Sequence, residues 1–493
     1  MASLLSLPSL LFLLIIITSL LVQSSSSKPH RSVKPCRTPL PRGFRIPLTH
    51  VDHGRKLTKS QRVQRSIQRG KHRLETFYLM ATTVPGSNTT TVPGGNIQAP
   101  VCAGNGEYLM ELTIGSSAVP VSVIMDTGSD LIWTQCKPCT QCFQQPTPIF
   151  NPAQSRTFQK IPHTSGMCDC ENTYVFNCNN GCQYTNVYGG QSSTRGYMAQ
   201  DTFIFGDSTP VYNIGFGCGV NNQGLGLTQG SGIVGLGRGP LSLISQLGVD
   251  QFSYCLPPMG EDTNGTVFFG AQANLNYSTI SANHSTPLIQ NPYQPSLYYV
   301  SVQAITVGKI LLPMSKNTLQ LNSQGNGGMI LDCGTTLTYL KAKAFNALKT
   351  AFISQMQLEV SESPQPGLDL CFDLPATGVS GVVVPKLMLH FVGGFNLVLP
   401  TQNYMISEPW NGVMCLSIVA SGNGLSILGN MAQQNLLVLN NLEMETGTLN
   451  GLVTEEIRLE VQPGTKRVLI SYHSSNGVAP QPTGNKRTVG WLY

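Results

Sequence analysis

An all-β fold made of two similarly ordered halves is what this sequence predicts, on three observations. Fifty Gly and 32 Pro in 493 residues, with Val, Ile, Thr, Tyr and Phe spread through short runs, favour many strands joined by turns over long amphipathic helices. The runs follow at short spacing: "EYLMELTIG" at 107–115, "VSVIMDTG" at 121–128, "TFIFG" at 202–206, "LYYVSVQAITVG" at 297–308 and "MILDCGTTLTYL" at 329–340. The same order then occurs twice: a strand ending in Thr-Ile-Gly or Thr-Val-Gly, an apolar run into Asp-x-Gly, and an apolar pair with Gly much further on. That last element is Ile233-Val234-Gly235 in the first half and Ile427-Leu428-Gly429 in the second.

A chain that is 41% hydrophobic and only 11% charged is globular, and its length allows two or three domains' worth of core. It opens with "MASLLSLPSLLFLLIIITSLLVQSSSS", apolar from Leu10 to Val22 and then small and polar. That is the length and flank of a signal peptide, assigned to residues 1–25, although the absence of Lys or Arg at its start leaves a signal anchor as the alternative. No later segment has the apolar length to cross a bilayer, so no stable membrane insertion is expected after the leader is removed. A secreted, extracellular (apoplastic) location is expected, with the vacuole as the other destination on that route.

Fourteen Cys suit an oxidising compartment. Seven crowd into one stretch: Cys136, Cys139, Cys142, Cys168, Cys170, Cys178 and Cys182. The spacing in "CKPCTQC" would also suit zinc, but a secretory leader favours bridges, and no metal or cofactor is expected. An odd number in the stretch requires a partner outside it or a free thiol. Asn88, Asn264, Asn276 and Asn283 lie in Asn-x-Ser/Thr sequences open to glycosylation.

The net charge of +6 conceals an asymmetry. Residues 28–75 carry 14 Lys plus Arg against two acidic residues, whereas residues 108–443 carry 11 basic and 17 acidic. A basic block can be a nucleic-acid arm, but in a secreted chain it reads as a removable segment held by charge over an acidic cleft, and no nucleic-acid partner is expected. The Thr-, Gly- and Pro-rich stretch 81–100 reads as an exposed linker open to cleavage.

If the halves face one another about a pseudo-twofold axis, Asp126 and Asp332 meet at the floor of the cleft between them. Two carboxylates that close share one proton. The ionised member can take a proton from a water held between them, and the protonated member can polarise a peptide carbonyl. That is amide hydrolysis in acid with no metal and no covalent intermediate. The alternative for each Asp-x-Gly is an ordinary turn, which gives no reason for the paired downstream elements.

The stretches "IMDTGSDLIWTQC", "FGCGVNNQG", "GIVGLGRGPLSLISQL", "FSYCL", "LDCGTTLTYL", "LDLCFDLP" and "SILGNMAQQNLLV" resemble the pepsin-like aspartic proteases of plants, most of all the nepenthesin group. The resemblance runs from Glu107 to Leu439. It implies a bilobal pepsin-like fold, an acid endopeptidase acting on polypeptides, a removable prosegment and a monomer. On its terms residues 26–100 are prosegment and linker. Residues 101–292 form the first lobe, with a Cys-rich insertion (136–182) and a flap, and residues 293–443 form the second.

It further implies that Asp126 and Asp332 are the catalytic pair and that Ser129 and Thr335 are the hydroxyls bonding their outer oxygens. Gly128 and Gly334 would let the loops turn, Tyr188 would be the flap tyrosine, and Trp133 its indole support. Thr127 matches a hydroxyl that locks the two loops together, and its counterpart here is Cys333, whose thiol is a weak donor and acceptor. A working but weakened pair, exposed to thiol oxidation, is therefore expected.

Cys136, Cys139, Cys142, Cys168, Cys178, Cys182, Cys218, Cys255, Cys371 and Cys415 are the disulfide candidates, with connectivity left open. The chain departs from the family at its C-terminus. No Cys follows Cys415, so Cys218 would lose its partner if the family's closing bridge uses it, and residues 444–493 form an atypical tail. The alternation in "EEIRLEVQPGTKRVLISY" offers a hairpin across Pro463-Gly464. Relatives that lack activity and act as binding or inhibitor modules are the alternative function, which survival of both Asp-x-Gly loops disfavours.

Overall fold

The computed structural model describes residues 44–53, 56–58, 61–67, 73–74, 77, 108–168, 175–178, 181–188, 192–206, 209–223, 230–259, 264–273, 285–315, 317–408, 412–422, 424–443, 446–450, 458–461 and 468–471. The leader, the linker, Cys170, Asn88, Asn276 and Asn283 lie outside the described residues. Asn264 is exposed. Among the described residues no helix is long and apolar enough to cross a membrane.

A bilobal, mostly β architecture follows from the strand pattern. One large sheet carries the first lobe and the junction. From one end it runs through Ser285–Pro287, Thr446–Asn450, Leu437–Asn441, Gln251–Cys255, Gly265–Phe269, Phe44–His50, Tyr108–Ile114, Val119–Asp126, Gly232–Gly235, Trp133–Gln135 and Thr209–Gln223. Ser192–Phe205, Gln183–Tyr188 and Val175–Asn177 follow, and Gln159–Lys160 pairs with Ser192–Phe205 off that path. The predicted strand "TFIFG" is the far end of Ser192–Phe205, which pairs with Thr209–Gln223 in a long hairpin. In the second lobe Tyr299–Val300, Met329–Leu331, Ile427–Leu428, Thr338–Lys341 and Ile418–Ser421 form the sheet that carries Asp332. The helix Ala342–Ile353 covers it with Ala344, Phe345, Leu348, Ala351 and Phe352 turned inward, the spacing of one helical face.

The basic N-terminal segment is more than a charged cover. Phe44–His50 alternates strictly, with Phe44, Ile46, Leu48 and His50 buried, and it fills the sheet between Tyr108–Ile114 and Gly265–Phe269. Phe44 stacks on Phe205 and Phe269, each at 4.9 Å between ring centroids. Residues 61–67 are helical, and Val63, Ile67, Leu74 and Phe77 are buried in the same apolar cluster as Leu297, Tyr299, Leu368, Ile406 and Met431 of the second lobe.

The tail joins the sheet as well: Thr446–Asn450 pairs with Leu437–Asn441 and Ser285–Pro287. Arg458–Val461 pairs antiparallel with Val468–Ser471, which is the hairpin expected across Pro463-Gly464.

Disulfides link Cys136–Cys218, Cys139–Cys142, Cys168–Cys182 and Cys371–Cys415, and Cys178 is also disulfide-bonded. Two expectations are corrected. Cys218 keeps a partner, because Trp133–Gln135 lies parallel to Thr209–Gln223 and sets Cys136 beside it. Cys255 is the candidate without a bridge: it is a free thiol on Gln251–Cys255, its pKa pushed up to about 11 by burial.

Candidate active site

Each Asp sits where a strand ends against a parallel neighbour. Val119–Asp126 pairs in parallel with Gly232–Gly235, so that Gly235 stands beside Asp126 and the Leu236 N–H donates to the Asp126 carbonyl at 2.7 Å. Met329–Leu331 pairs likewise with Ile427–Leu428, and the Asp332 N–H donates to the Leu428 carbonyl at 3.3 Å. The duplicated apolar-pair-and-Gly elements are thus the neighbours that fix the two Asp-bearing ends.

Beyond each strand end the chain turns back on its own carboxylate. Oδ1 of Asp126 accepts from the Gly128 N–H at 2.9 Å and Oδ2 from the Ser129 hydroxyl. Oδ1 of Asp332 accepts from the Gly334 N–H at 2.9 Å and Oδ2 from the Thr335 hydroxyl. The loops meet closely enough that a Cβ on Gly334 would lie 2.6 Å from Oδ1 of Asp126, and one on Gly128 3.0 Å from Oδ1 of Asp332. Only glycine leaves that space.

The lock between the loops is unequal. Oγ1 of Thr127 accepts from the Cys333 N–H at 3.0 Å and lies 3.4 Å from the Leu331 carbonyl. In return the Cys333 thiol makes only long contacts, to the Met125 carbonyl and to the Thr127 hydroxyl, each at 3.5 Å. Asn430 supports the second loop, its side-chain amide donating to the Cys333 carbonyl at 2.9 Å. The oxidation expected of Cys333 is not supported: the residue is fully buried, and burial, then the field of Asp332, push its pKa far above the ordinary thiol range. A thiol that neither ionises nor meets solvent is chemically quiet.

Above the first loop Trp133 Nε1 donates to the Tyr188 hydroxyl at 2.8 Å. Tyr188 ends Gln183–Tyr188, where it pairs with Ser192 at the tip of a hairpin.

Sequence reasoning missed two groups here. Arg73 is one. Its guanidinium bridges both carboxylates, with Nε 3.1 Å from Oδ2 of Asp332 and one terminal nitrogen on Oδ1 of Asp126. Burial opposes its charge, but the fields of Asp126 and then Asp332 outweigh that, raising the Arg73 pKa well above its ordinary value. One among 14 basic residues in a uniform block, it had no local signal.

The other is Asp130. Its Oδ1 accepts from the Gly239 N–H at 2.8 Å and its Oδ2 from the Ser296 hydroxyl at 2.6 Å, tying the first loop to the chain that enters the second lobe. Burial raises the Asp130 pKa, with the charge of Asp126 adding to it and these two hydrogen bonds opposing. A folded-state pKa above the unfolded value means that the contribution to stability is complete below the ordinary carboxylate pKa of about 4, and is lost as pH rises through the raised value. Thermal unfolding followed against pH is expected to show stability falling from acid towards neutral, with a shallower fall in Asp130→Asn. Identical slopes would remove Asp130 from that role.

Two family models match the chain: Xylanase inhibitor N-terminal over residues 108–271 and Xylanase inhibitor C-terminal over residues 297–446. Aspartic proteinase nepenthesin-1 of Nepenthes gracilis is 47% identical over 398 residues, covering 80% of this chain and 87% of its own. Nepenthesin-2 of the same plant is 46% identical over 402 residues, covering 81% and 88%. Among solved structures, conglutin gamma, a basic 7S globulin from lupine seeds, matches with a TM-score of 0.54 at 24% identity over 71% of this chain and 93% of its own, a likeness of fold. With both Asp-x-Gly loops facing across one cleft, the chain belongs to the nepenthesin-like branch of the pepsin-like aspartic proteases and is an aspartic-type endopeptidase acting on polypeptides.

Proposed function

We propose that this protein is a secreted acid endopeptidase made as a zymogen, in which Asp126 and Asp332 activate a water between them and Arg73 blocks the pair until the N-terminal segment is removed. The observation that carries the reading is one guanidinium shared by both carboxylates. In the mature enzyme a water takes the place of Arg73. The ionised carboxylate accepts its proton as the oxygen attacks the peptide carbonyl, and the protonated carboxyl donates to the carbonyl oxygen. Return of a proton to the leaving nitrogen breaks the C–N bond. Ser129 and Thr335 hold the outer oxygens, so the inner ones face the substrate, and Tyr188, steadied by Trp133, closes over it as the flap.

The pairing with Arg73 holds only while the carboxylates are ionised. Acid protonates them and weakens the grip, so that the segment leaves once the linker at 81–100 is cleaved. A secreted, monomeric enzyme without a nucleic-acid partner fits this scheme.

The test is cleavage of a denatured protein by acid-treated full-length material. Activity between about pH 2 and 5, where carboxylates titrate, blocked by a statine-bearing peptide, is expected. Absence of cleavage throughout that range would refute the reading and favour the inhibitor-module alternative suggested by the name of the matching family models.

The weak side of the loop lock carries its own expectation. Cys333→Ser supplies a better hydrogen-bond donor to the Met125 carbonyl, and should raise stability by about 0.5–1 kcal/mol and kcat severalfold. Unfolding and kinetic measurements showing no change in either would mean that the thiol serves as well as a hydroxyl.

A further inference from the structure

Phe77 lies between the first Asp-x-Gly loop and the second lobe. Its Cζ is so near the first catalytic loop that a Cβ on Gly128 would fall 2.7 Å from it, and the Arg73 guanidinium stands 5.0 Å from its ring centroid. The ring is buried completely. Its backbone carbonyl is held from the other lobe: the Gln294 side-chain amide donates from Nε2 at 3.1 Å.

Gln294 is built for that contact. It closes the turn 291–294, where its N–H donates to the Asn291 carbonyl at 3.1 Å and the Tyr293 N–H to the Asn291 side chain at 3.0 Å. The Leu297 N–H donates to the Gln294 carbonyl at 3.3 Å. The Tyr299 hydroxyl donates to Oε1 of Gln294. A carbonyl can only accept, so the end of the amide facing Phe77 must be its NH2, and Tyr299 on the other end fixes that orientation. Burial pushes the Tyr299 pKa up to about 12, so this hydroxyl keeps its proton wherever the enzyme works. A buried amide, oriented by a second buried side chain and spending its donor on a segment that is to be removed, has a second use once that segment leaves.

We infer that Gln294 is a substrate-positioning residue. In the mature enzyme its amide takes the backbone carbonyl of a substrate residue whose aromatic or large apolar side chain lies against Gly128, the place held by Phe77 in the intact chain. The inference rests on the protease reading and adds to it a main-chain anchor. Because the hydrogen bond is to the backbone, it fixes the register of any substrate in the cleft.

The test uses enzyme processed in acid from the full chain and a statine-bearing peptide inhibitor, titrated calorimetrically. A set of analogues has each backbone carbonyl flanking the statine replaced in turn by methylene. Gln294→Met, close in shape but without a donor, should bind the parent peptide roughly five- to tenfold more weakly, the effect of one neutral hydrogen bond. With peptide substrates KM should rise by the same factor while kcat stays within twofold. One methylene analogue should lose about the same affinity on the unaltered enzyme and nothing further on Gln294→Met, since both changes delete one bond. Tyr299→Phe keeps the donor but frees its orientation, and should lose about threefold.

Parent-peptide binding within twofold in Gln294→Met, or losses that add for every analogue, would overturn the inference. Should Gln294→Met fail to fold, a scan on the unaltered enzyme in which no analogue loses more than twofold would overturn it as well. Peptide binding that depends on Gln294 without cleavage of any substrate would refute the protease reading alone. Cleavage with binding indifferent to Gln294 would refute this inference alone.

Discussion

Asp126→Asn is expected to leave the fold intact and to lower kcat by at least about a thousandfold, with KM little changed. The side chain keeps its shape, and its oxygen can still accept from the Gly128 N–H or the Ser129 hydroxyl. What it loses is the capacity to take a proton from water. Asp332→Asn should fall as far, because the loops are equivalent in their bonding and the pair works as one unit. Single-turnover kinetics on an internally quenched peptide separate this loss from weaker binding. A residual rate within tenfold of the unaltered enzyme would place the chemistry elsewhere.

The second large effect is expected at Arg73. Removing one member of a buried charge cluster leaves the others uncompensated, at a cost of roughly 3–5 kcal/mol. Arg73→Gln should therefore loosen the N-terminal segment, letting the full-length chain lose it faster and at a higher pH than the unaltered chain. The sign follows from the pairing: the guanidinium ties the segment to both carboxylates, so a chain without it has less to undo. Electrophoresis of samples stepped down in pH reads the onset. An unchanged onset would mean that Phe44–His50, paired on both edges within the sheet, and not Arg73, sets the barrier to release.

Much of this site was legible in the sequence because its signals are local. An apolar strand running into Asp-x-Gly, with Ser or Thr one residue beyond, dictates a loop that folds back on its own carboxylate, and both copies do so. The paired Ile-x-Gly elements were recognisable as repeats, and the structure gives their reason as parallel neighbours of the two Asp-bearing strands. Tyr188 and Trp133, 55 residues apart, were matched through the family resemblance alone; they meet because Trp133–Gln135 and the hairpin that begins at Gln183 belong to one sheet.

What escaped depends on pairings distant in sequence. Phe44–His50 alternates as a strand should, yet the charge of the block around it hid that period. Its partners lie at 108–110 and 265–269. Nothing local distinguishes Arg73 from its basic neighbours, or Gln294 from any polar loop residue, because each is defined by what faces it across the cleft. The fate of the cysteines was open for the same reason. Cys136 and Cys218 are brought together only by parallel pairing across 82 residues, a loop whose closure is worth roughly 4–5 kcal/mol on chain-entropy grounds.

The most direct test of the account is a time course. Full-length chain is brought from neutral to acid pH in the presence of an internally quenched peptide, while the loss of its N-terminal segment is followed in the same sample. A lag that ends as the segment is cleaved is expected, with a shorter lag in Arg73→Gln and no activity at any time in Asp126→Asn. Immediate cleavage at neutral pH by the intact chain, or activity in acid that survives Asp126→Asn, would contradict it.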